Sequence, residues 1–193
     1  MSKVMEGRIF YFRKKGPGNT AKTLEIALDF CRSQGIGRIV VASSSGETAL
    51  NLSKKAGDAI EIIAVTYGAG SRYREEVEQF NRNRTSLIRS GVKIVRGLHA
   101  LSGVERSLEG KYQSGLLPLN IVSDTLRLFS QGVKVCVEIS VMAAEHGLVR
   151  PDEEIVAIGG SGEGADTALL IKPAYAARFF ETKIKAILCM PVG

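Results

Sequence analysis

The sequence has no tryptophan, and only 2 histidines, 3 cysteines and 5 prolines among its 193 residues. Each scarcity removes a class of protein. Cys31, Cys136 and Cys189 are odd in number, far apart and set in apolar runs, so they read as buried thiols of a reducing cytoplasm, without a disulfide framework or a zinc site. His99 and His146 stand alone with no metal-ligand spacing between them, and no metal is expected. A long hydrophobic run is also missing. The most apolar stretch, around residues 133–144, carries Lys134 and Glu138 and falls far short of a membrane span. Lys3, Glu6 and Arg8 break up the apolar core that a signal peptide would need. There is no proline- or serine-rich linker, low-complexity segment or repeat with a period of about 20–50 residues. Hydrolase signatures are absent too: the serines at 43 to 45 have no Gly-x-Ser-x-Gly elbow, and no cysteine nucleophile or carboxylate pair is marked out.

What is present is the composition of one globular domain over residues 1–193, with 45% hydrophobic and 24% charged residues. A soluble, cytoplasmic protein is expected. The net charge of +6 suits anionic small molecules as well as nucleic acid. Short β-branched runs alternate with amphipathic stretches throughout, which predicts a three-layer α/β/α domain around a mostly parallel sheet. The strand candidates are residues 8–12, 38–42, 60–66, 92–95, 154–158, 168–171 and 184–189. Helices are expected from an N-cap at Asn19 or Thr20 to a stop at Gly35, over 47–56 with a stop at Gly57, and over 73–89, 121–129 and 133–146. Between Arg72 and Arg96 there are seven basic residues against three acidic ones, which reads as a solvated helix face or as a nucleic-acid patch. Without an accompanying aromatic platform, nucleic acid is not the expected partner.

Two segments carry the functional signal. In Val40-Val41-Ala42-Ser43-Ser44-Ser45-Gly46-Glu47-Thr48-Ala49 an apolar strand runs into three serines and a glycine as a helix begins. Free N–H groups, the positive end of the helix dipole and the hydroxyls of Ser43, Ser44, Ser45 and Thr48 converge there, and Gly46 would let backbone approach an anion. Serine N-capping of a strand-to-helix turn is the plainer reading. The second segment, Gly159-Gly160-Ser161-Gly162-Glu163-Gly164-Ala165-Asp166-Thr167, has four glycines within six residues directly after a strand. It suggests a flexible loop folding over a ligand at the carboxyl edge of the sheet, or else a surface hairpin between Ile158 and Ala168. It lacks both a Walker ending and a dinucleotide fingerprint. Among single residues, Glu138 carries a charge on an apolar helical face with Arg106 as a candidate partner, His99 could face the site from a loop, and His146 suits a helix C-terminus.

These segments resemble the C-terminal α/β domain of pyruvate kinase, here standing alone. The likeness begins near Thr20. Residues 38–49 are similar to that domain's strand and phosphate loop, residues 60–66 to its next strand, and residues 143–160 to its last helix, strand and glycine-rich effector loop. The whole chain resembles a family of archaeal-type stand-alone pyruvate kinase α/β domains in Asn19-Thr20, Ser43 to Thr48, Leu101-Ser102-Gly103-Val104-Glu105-Arg106-Ser107 and Gly164-Ala165-Asp166-Thr167. The resemblance implies that Ser43, Ser44, Ser45, Gly46 and Thr48 hold a phosphate while residues 159–167 cover the rest of the ligand, with His99 and Ser102 as further contacts. Where pyruvate kinase often has a basic residue after the loop glycine this chain has Glu47, joined later by Glu163 and Asp166. Like-charge repulsion then disfavours a sugar bisphosphate and favours a monophosphate with a planar body, for which flavin mononucleotide (FMN) is the specific expectation. Pyruvate kinase activity is not expected, since the barrel that carries it takes about 250 residues by itself. The alternatives are an enzyme acting on a phosphorylated metabolite or through bound flavin, with His99, Arg106 and Glu138 as catalytic candidates, and a subunit that interacts with protein or RNA through residues 72–96. A homo-oligomer is expected.

Overall fold

A computed structural model describes residues 7–113 and 115–193. Seven strands form one sheet: β1 (Phe10–Phe12), β2 (Arg38–Ala42), β3 (Glu61–Tyr67), β4 (Lys93–Gly97), β5 (Ile155–Gly159), β6 (Thr167–Lys172) and β7 (Lys183–Pro191). Their spatial order is β1-β7-β6-β5-β2-β3-β4. All run in one direction except β6, which is antiparallel to both of its neighbours. The helices are α1 (Thr20–Gln34), α2 (Glu47–Ala56), α3 (Arg74–Arg89), α4 (Glu105–Tyr112), α5 (Pro118–Arg127) and α6 (Gln131–Glu145).

The layers follow from strand periodicity. In β2, Ile39 and Val41 join the core under α1, α2 and α3, while Val40 between them joins the core under α6. Ile62 and Ala64 against Ile63 and Val65 in β3, and Val156 and Ile158 against Ile155 and Ala157 in β5, repeat the same alternation. Because both faces are covered, these strands are near-continuous apolar runs. Helix α1 stops where Gly35 takes a left-handed conformation (φ 69°) that costs glycine little, and its N–H closes onto the Cys31 carbonyl. Asn19 occupies the N-cap of α1 but makes no side-chain cap bond; its amide donates to the Lys14 carbonyl instead.

Helix α3 is the polar helix of the basic segment. It buries Val77, Phe80 and Leu87 on one stripe and leaves most of its charges in solvent. Helix α6 is buried over nearly its whole length, including Lys134 and Glu138. Helix α4 was not foreseen, because it buries no residue and so has no apolar stripe to read. The three cysteines are buried and free. Burial pushes Cys31 up to about 12 and Cys189 up to about 11, so neither thiol is a nucleophile near neutral pH. No helix of the described residues is long and apolar enough to cross a membrane.

Candidate functional site

Strand β2 lies between β5 and β3, and the chain leaves the carboxyl ends of β2 and β5 in opposite directions along the sheet. Such a switch point opens a crevice. Here the crevice is a cleft of about 760 Å³. It is walled by the loop after β2, the starts of α1 and α3, residues 160–164, and the exposed side of α6.

The serine loop is pinned before any ligand arrives. Ser43 N donates to the Val65 carbonyl at 3.0 Å, the Ser44 carbonyl accepts from Thr66 Oγ1 at 3.3 Å, and the Ser45 carbonyl accepts from Asn83 Nδ2 at 2.8 Å. The three serines have divided their work. Ser43 is buried and its hydroxyl accepts from Ala49 N at 3.2 Å, so it satisfies a first-turn donor of α2 from outside the N-cap position, which Gly46 occupies. Ser45 Oγ accepts a long bond of 3.4 Å from Glu47 N. Among the described residues, the N–H groups of Ser44, Ser45 and Thr48 donate to no protein acceptor, and all three residues line the cleft. Those donors at the start of α2 are what an anion needs. Gly46 has a different job from the one expected of it. It adopts φ 91°, it does not line the cleft, and a Cβ there would lie 3.1 Å from Asn83 Cβ and 3.2 Å from Leu87 Cδ1. Glycine is required by α3, not by close approach to an anion.

The glycine-rich loop is the turn of a β5–β6 hairpin strapped to the start of α1. Ala165 N donates to Thr20 Oγ1 at 2.9 Å, and Thr23 Oγ1 donates to the Ala165 carbonyl at 3.3 Å. Asp166 is fully buried. Its carboxylate accepts from Gly16 N at 2.9 Å, Ser161 N at 3.3 Å and Thr167 Oγ1 at 2.9 Å. Gly160, Gly162, Glu163 and Gly164 line the cleft, Gly159, Asp166 and Thr167 are buried in the fold, and half-buried Ser161 lies outside the lining. Of the three acids weighed in the sequence, Glu47 and Glu163 line the cleft, while Asp166 sits behind it with its carboxylate bonded to three donors.

The α6 wall supplies what the sequence only partly disclosed. Glu138 Oε2 accepts from Lys134 Nζ at 2.7 Å and meets His99 Nδ1 at 3.1 Å, and Oε1 accepts from Leu101 N at 3.2 Å. Its side-chain partners are thus the Lys134 ammonium and the His99 ring, not Arg106, although Arg106 lines the same cleft. Burial by itself would raise the Glu138 carboxyl, but the His99 hydrogen bond and the Lys134 charge outweigh it and hold the group down at about 2. The His99 ring lies 5.5 Å from that of Tyr67, which stacks on Tyr73 at 5.0 Å and 22°. The basic segment does carry an aromatic, then, and its stack lines the cleft. Lys134, Tyr67, Tyr73, Arg72 and Arg127 were not singled out in the sequence; the Lys134–Glu138 spacing of four inside an apolar helix was the available signal.

Elsewhere, His146 caps α6, with Nδ1 2.8 Å from the Met142 carbonyl. Ser102 lies outside the cleft lining, and its hydroxyl is buried without a partner. Among the described residues no three metal-ligating side chains cluster. A second concavity of about 530 Å³ at the amino edge of the sheet is lined by Arg38 and Glu61, which pair at 2.7 Å.

Solved structures to which this chain shows similarity include a pyruvate kinase from Cryptosporidium parvum in complex with ADP, 18% identical over 91% of this chain and 25% of that one, with a TM-score of 0.40. Another pyruvate kinase structure from that organism is 18% identical over 76% of this chain and 21% of that one, at 0.37. An NH3-dependent NAD synthetase from Campylobacter jejuni is 13% identical over 75% of this chain and 56% of that one, at 0.40. The chain thus spans at most a quarter of the length of these pyruvate kinases. The model of the pyruvate kinase alpha/beta domain matches residues 21–172, from α1 through β6, and takes in both loops of the cleft. The chain belongs to the pyruvate kinase α/β domain family.

Proposed function

We propose that the cleft binds a phosphorylated small molecule with one phosphate and a planar body, and that FMN is such a ligand. One observation carries the reading: unpaired main-chain donors at the start of α2 share a single cleft with the Tyr67–Tyr73–His99 row. The phosphate is held by the N–H groups of Ser44, Ser45 and Thr48, helped by the Ser44 and Thr48 hydroxyls and the dipole of α2. The planar body lies along the aromatic row, opposite Gly160 to Gly164. Glu47, Glu76 and Glu163 line the same cleft and make a second dianion costly. The volume suits the reading, since pockets for cofactor-sized molecules run to about 300–1,000 Å³.

Titration of apo-protein with FMN, riboflavin and fructose bisphosphate, followed by flavin fluorescence and calorimetry, tests it. FMN is expected to be quenched on binding, riboflavin to bind about 10–100-fold more weakly for want of its charge-assisted bonds, and the bisphosphate not to bind. Tighter binding of the bisphosphate than of FMN overturns the proposal.

A further inference from the structure

Lys134 is a charged side chain in an unusual position. It lies on α6 with 5% of its surface exposed, yet it forms part of the cleft wall. An ammonium has three N–H donors. Among the described residues one acceptor is supplied, Glu138 Oε2 at 2.7 Å, so two donors of a nearly buried cation are left for whatever occupies the cleft. Buried polar groups are as a rule satisfied, and a half-satisfied ammonium in a wall facing a ligand space is a recognition point.

The charge around Lys134 selects what it recognises. Glu138 neutralises it, His99 approaches the same carboxylate oxygen, and Leu101 N satisfies the other oxygen. The cluster therefore offers hydrogen-bond donors with little net charge to spare, and a second phosphate seated against it would lose its hydration beside the Glu138 carboxylate. A neutral acceptor, such as a ring carbonyl, loses far less on entering and gains the same bonds. Gln131, one turn earlier on α6, also lines the cleft and can serve the neighbouring position of such an edge.

We infer that Lys134 is the second anchor of the site: its ammonium, held by Glu138, donates to carbonyl oxygens on the edge of the ligand's planar body, so the site takes monophosphates whose body carries ring carbonyls. This rests on the phosphate-and-planar-body reading above. It adds a residue outside both loops, and it assigns the ligand's far edge to the α6 wall.

The test uses the full chain with FMN, riboflavin and phenyl phosphate, the last having a phosphate and a ring but no carbonyl. Lys134→Gln combined with Glu138→Gln removes the ammonium without leaving its carboxylate charged and alone, and circular dichroism checks that the variant is folded. The expected result is a loss of tenfold or more for FMN and the same factor for riboflavin, with phenyl phosphate unchanged. Equal FMN affinity in variant and wild type overturns the inference. A loss for FMN but not for riboflavin overturns it too, because Lys134 would then be serving the phosphate. Should the variant not fold, 2-thio- and 4-thio-FMN on the wild-type protein decide the matter, sulfur being the poorer acceptor. At least a threefold weakening at one position is expected, and unchanged affinity for both overturns the inference. If wild type binds neither FMN nor phenyl phosphate, the underlying function falls and the inference with it; binding of FMN without any dependence on Lys134 sinks the inference alone.

Discussion

The two loops that close the cleft start alike, each a run of small residues directly after a buried strand, and they differ in what holds them in place. After β2 the chain crosses over through α2 to a parallel neighbour, so the helix start leaves its N–H groups of Ser44, Ser45 and Thr48 pointing into open space. After β5 the chain turns back into an antiparallel hairpin held by buried Asp166, which accepts from Ser161 N and Gly16 N, while the N–H groups of Gly160, Gly162, Glu163 and Gly164 in the cleft lining donate to no acceptor among the described residues. Both loops offer main-chain donors to the cleft; the serine loop adds the start of a helix to them, and the hairpin adds a buried carboxylate behind them. Gly46 answers to packing against α3, and the glycines at 160, 162 and 164 answer to the tight turn and the strap to Thr20.

The largest test of this contrast is Asp166→Leu. Three donors, two of them main-chain N–H groups, would be left buried without an acceptor, at about 1–3 kcal/mol each. The expected cost is about 3–5 kcal/mol, or roughly 10–15 °C in the midpoint of thermal unfolding for a domain of this size. FMN affinity of the protein that remains folded should change little. A drop in affinity with unchanged stability would instead place Asp166 against the ligand.

Acid titration sharpens the contrast by separating the α6 wall from the serine loop, whose donors are main-chain groups and hydroxyls without a charge to lose. Glu138 titrates near 2 in the fold against 4.5 for the free group, so its contribution is complete above about pH 4.5 and drains away as the pH falls toward 2. The shift corresponds to on the order of 3 kcal/mol. Urea unfolding measured between pH 6 and pH 2.5 should show stability falling across that window, and Glu138→Gln should flatten the fall. An unchanged slope in the variant would mean that another carboxylate carries the acid response.

How far the sequence could be read follows the same division between what is local and what is topological. The strand runs and the stops at Gly35 and Gly57 depend on nearest neighbours, and helix α2 lies over residues 47–56 as expected. The reversed direction of β6 was legible only through the hairpin alternative between Ile158 and Ala168, because an apolar run has the same pattern in either direction. In the site, the serine loop was legible because it lies in one contiguous stretch. The wall opposite was legible only in part: Glu138 and His99 stood out singly, but their meeting depends on the packing of α6 on the sheet, and Tyr67 and Tyr73 meet only because α3 starts beside β3. The Arg106 pairing expected for Glu138 failed for a related reason: a partner one helical turn away on α6, already in place, needs no loop to reach it.

Gly46→Ala is expected to have a smaller effect. The methyl group must enter between Asn83 and Leu87 at φ 91°, which costs about 1–2 kcal/mol through strain and the displacement of α3. Chemical denaturation should show that loss while FMN affinity stays within about threefold. A large loss of affinity without destabilisation would restore Gly46 as a point of close anion approach.

The smallest effects come from the serines, and they divide the loop most finely. Ser43→Ala removes the acceptor for Ala49 N, a buried bond at the first turn of α2, and should cost about 1 kcal/mol of stability with little change in phosphate binding. Ser44→Ala removes a hydroxyl that faces the cleft and leaves its main-chain donor in place, so stability should hold while FMN affinity falls about 3–10-fold, the worth of one net hydrogen bond. Measured together by thermal melts and fluorescence titration, adjacent serines would show opposite signatures, one in stability and one in affinity. Two alanine variants that both lower stability and both spare affinity would reduce the whole turn to a helix cap and move the phosphate elsewhere in the cleft.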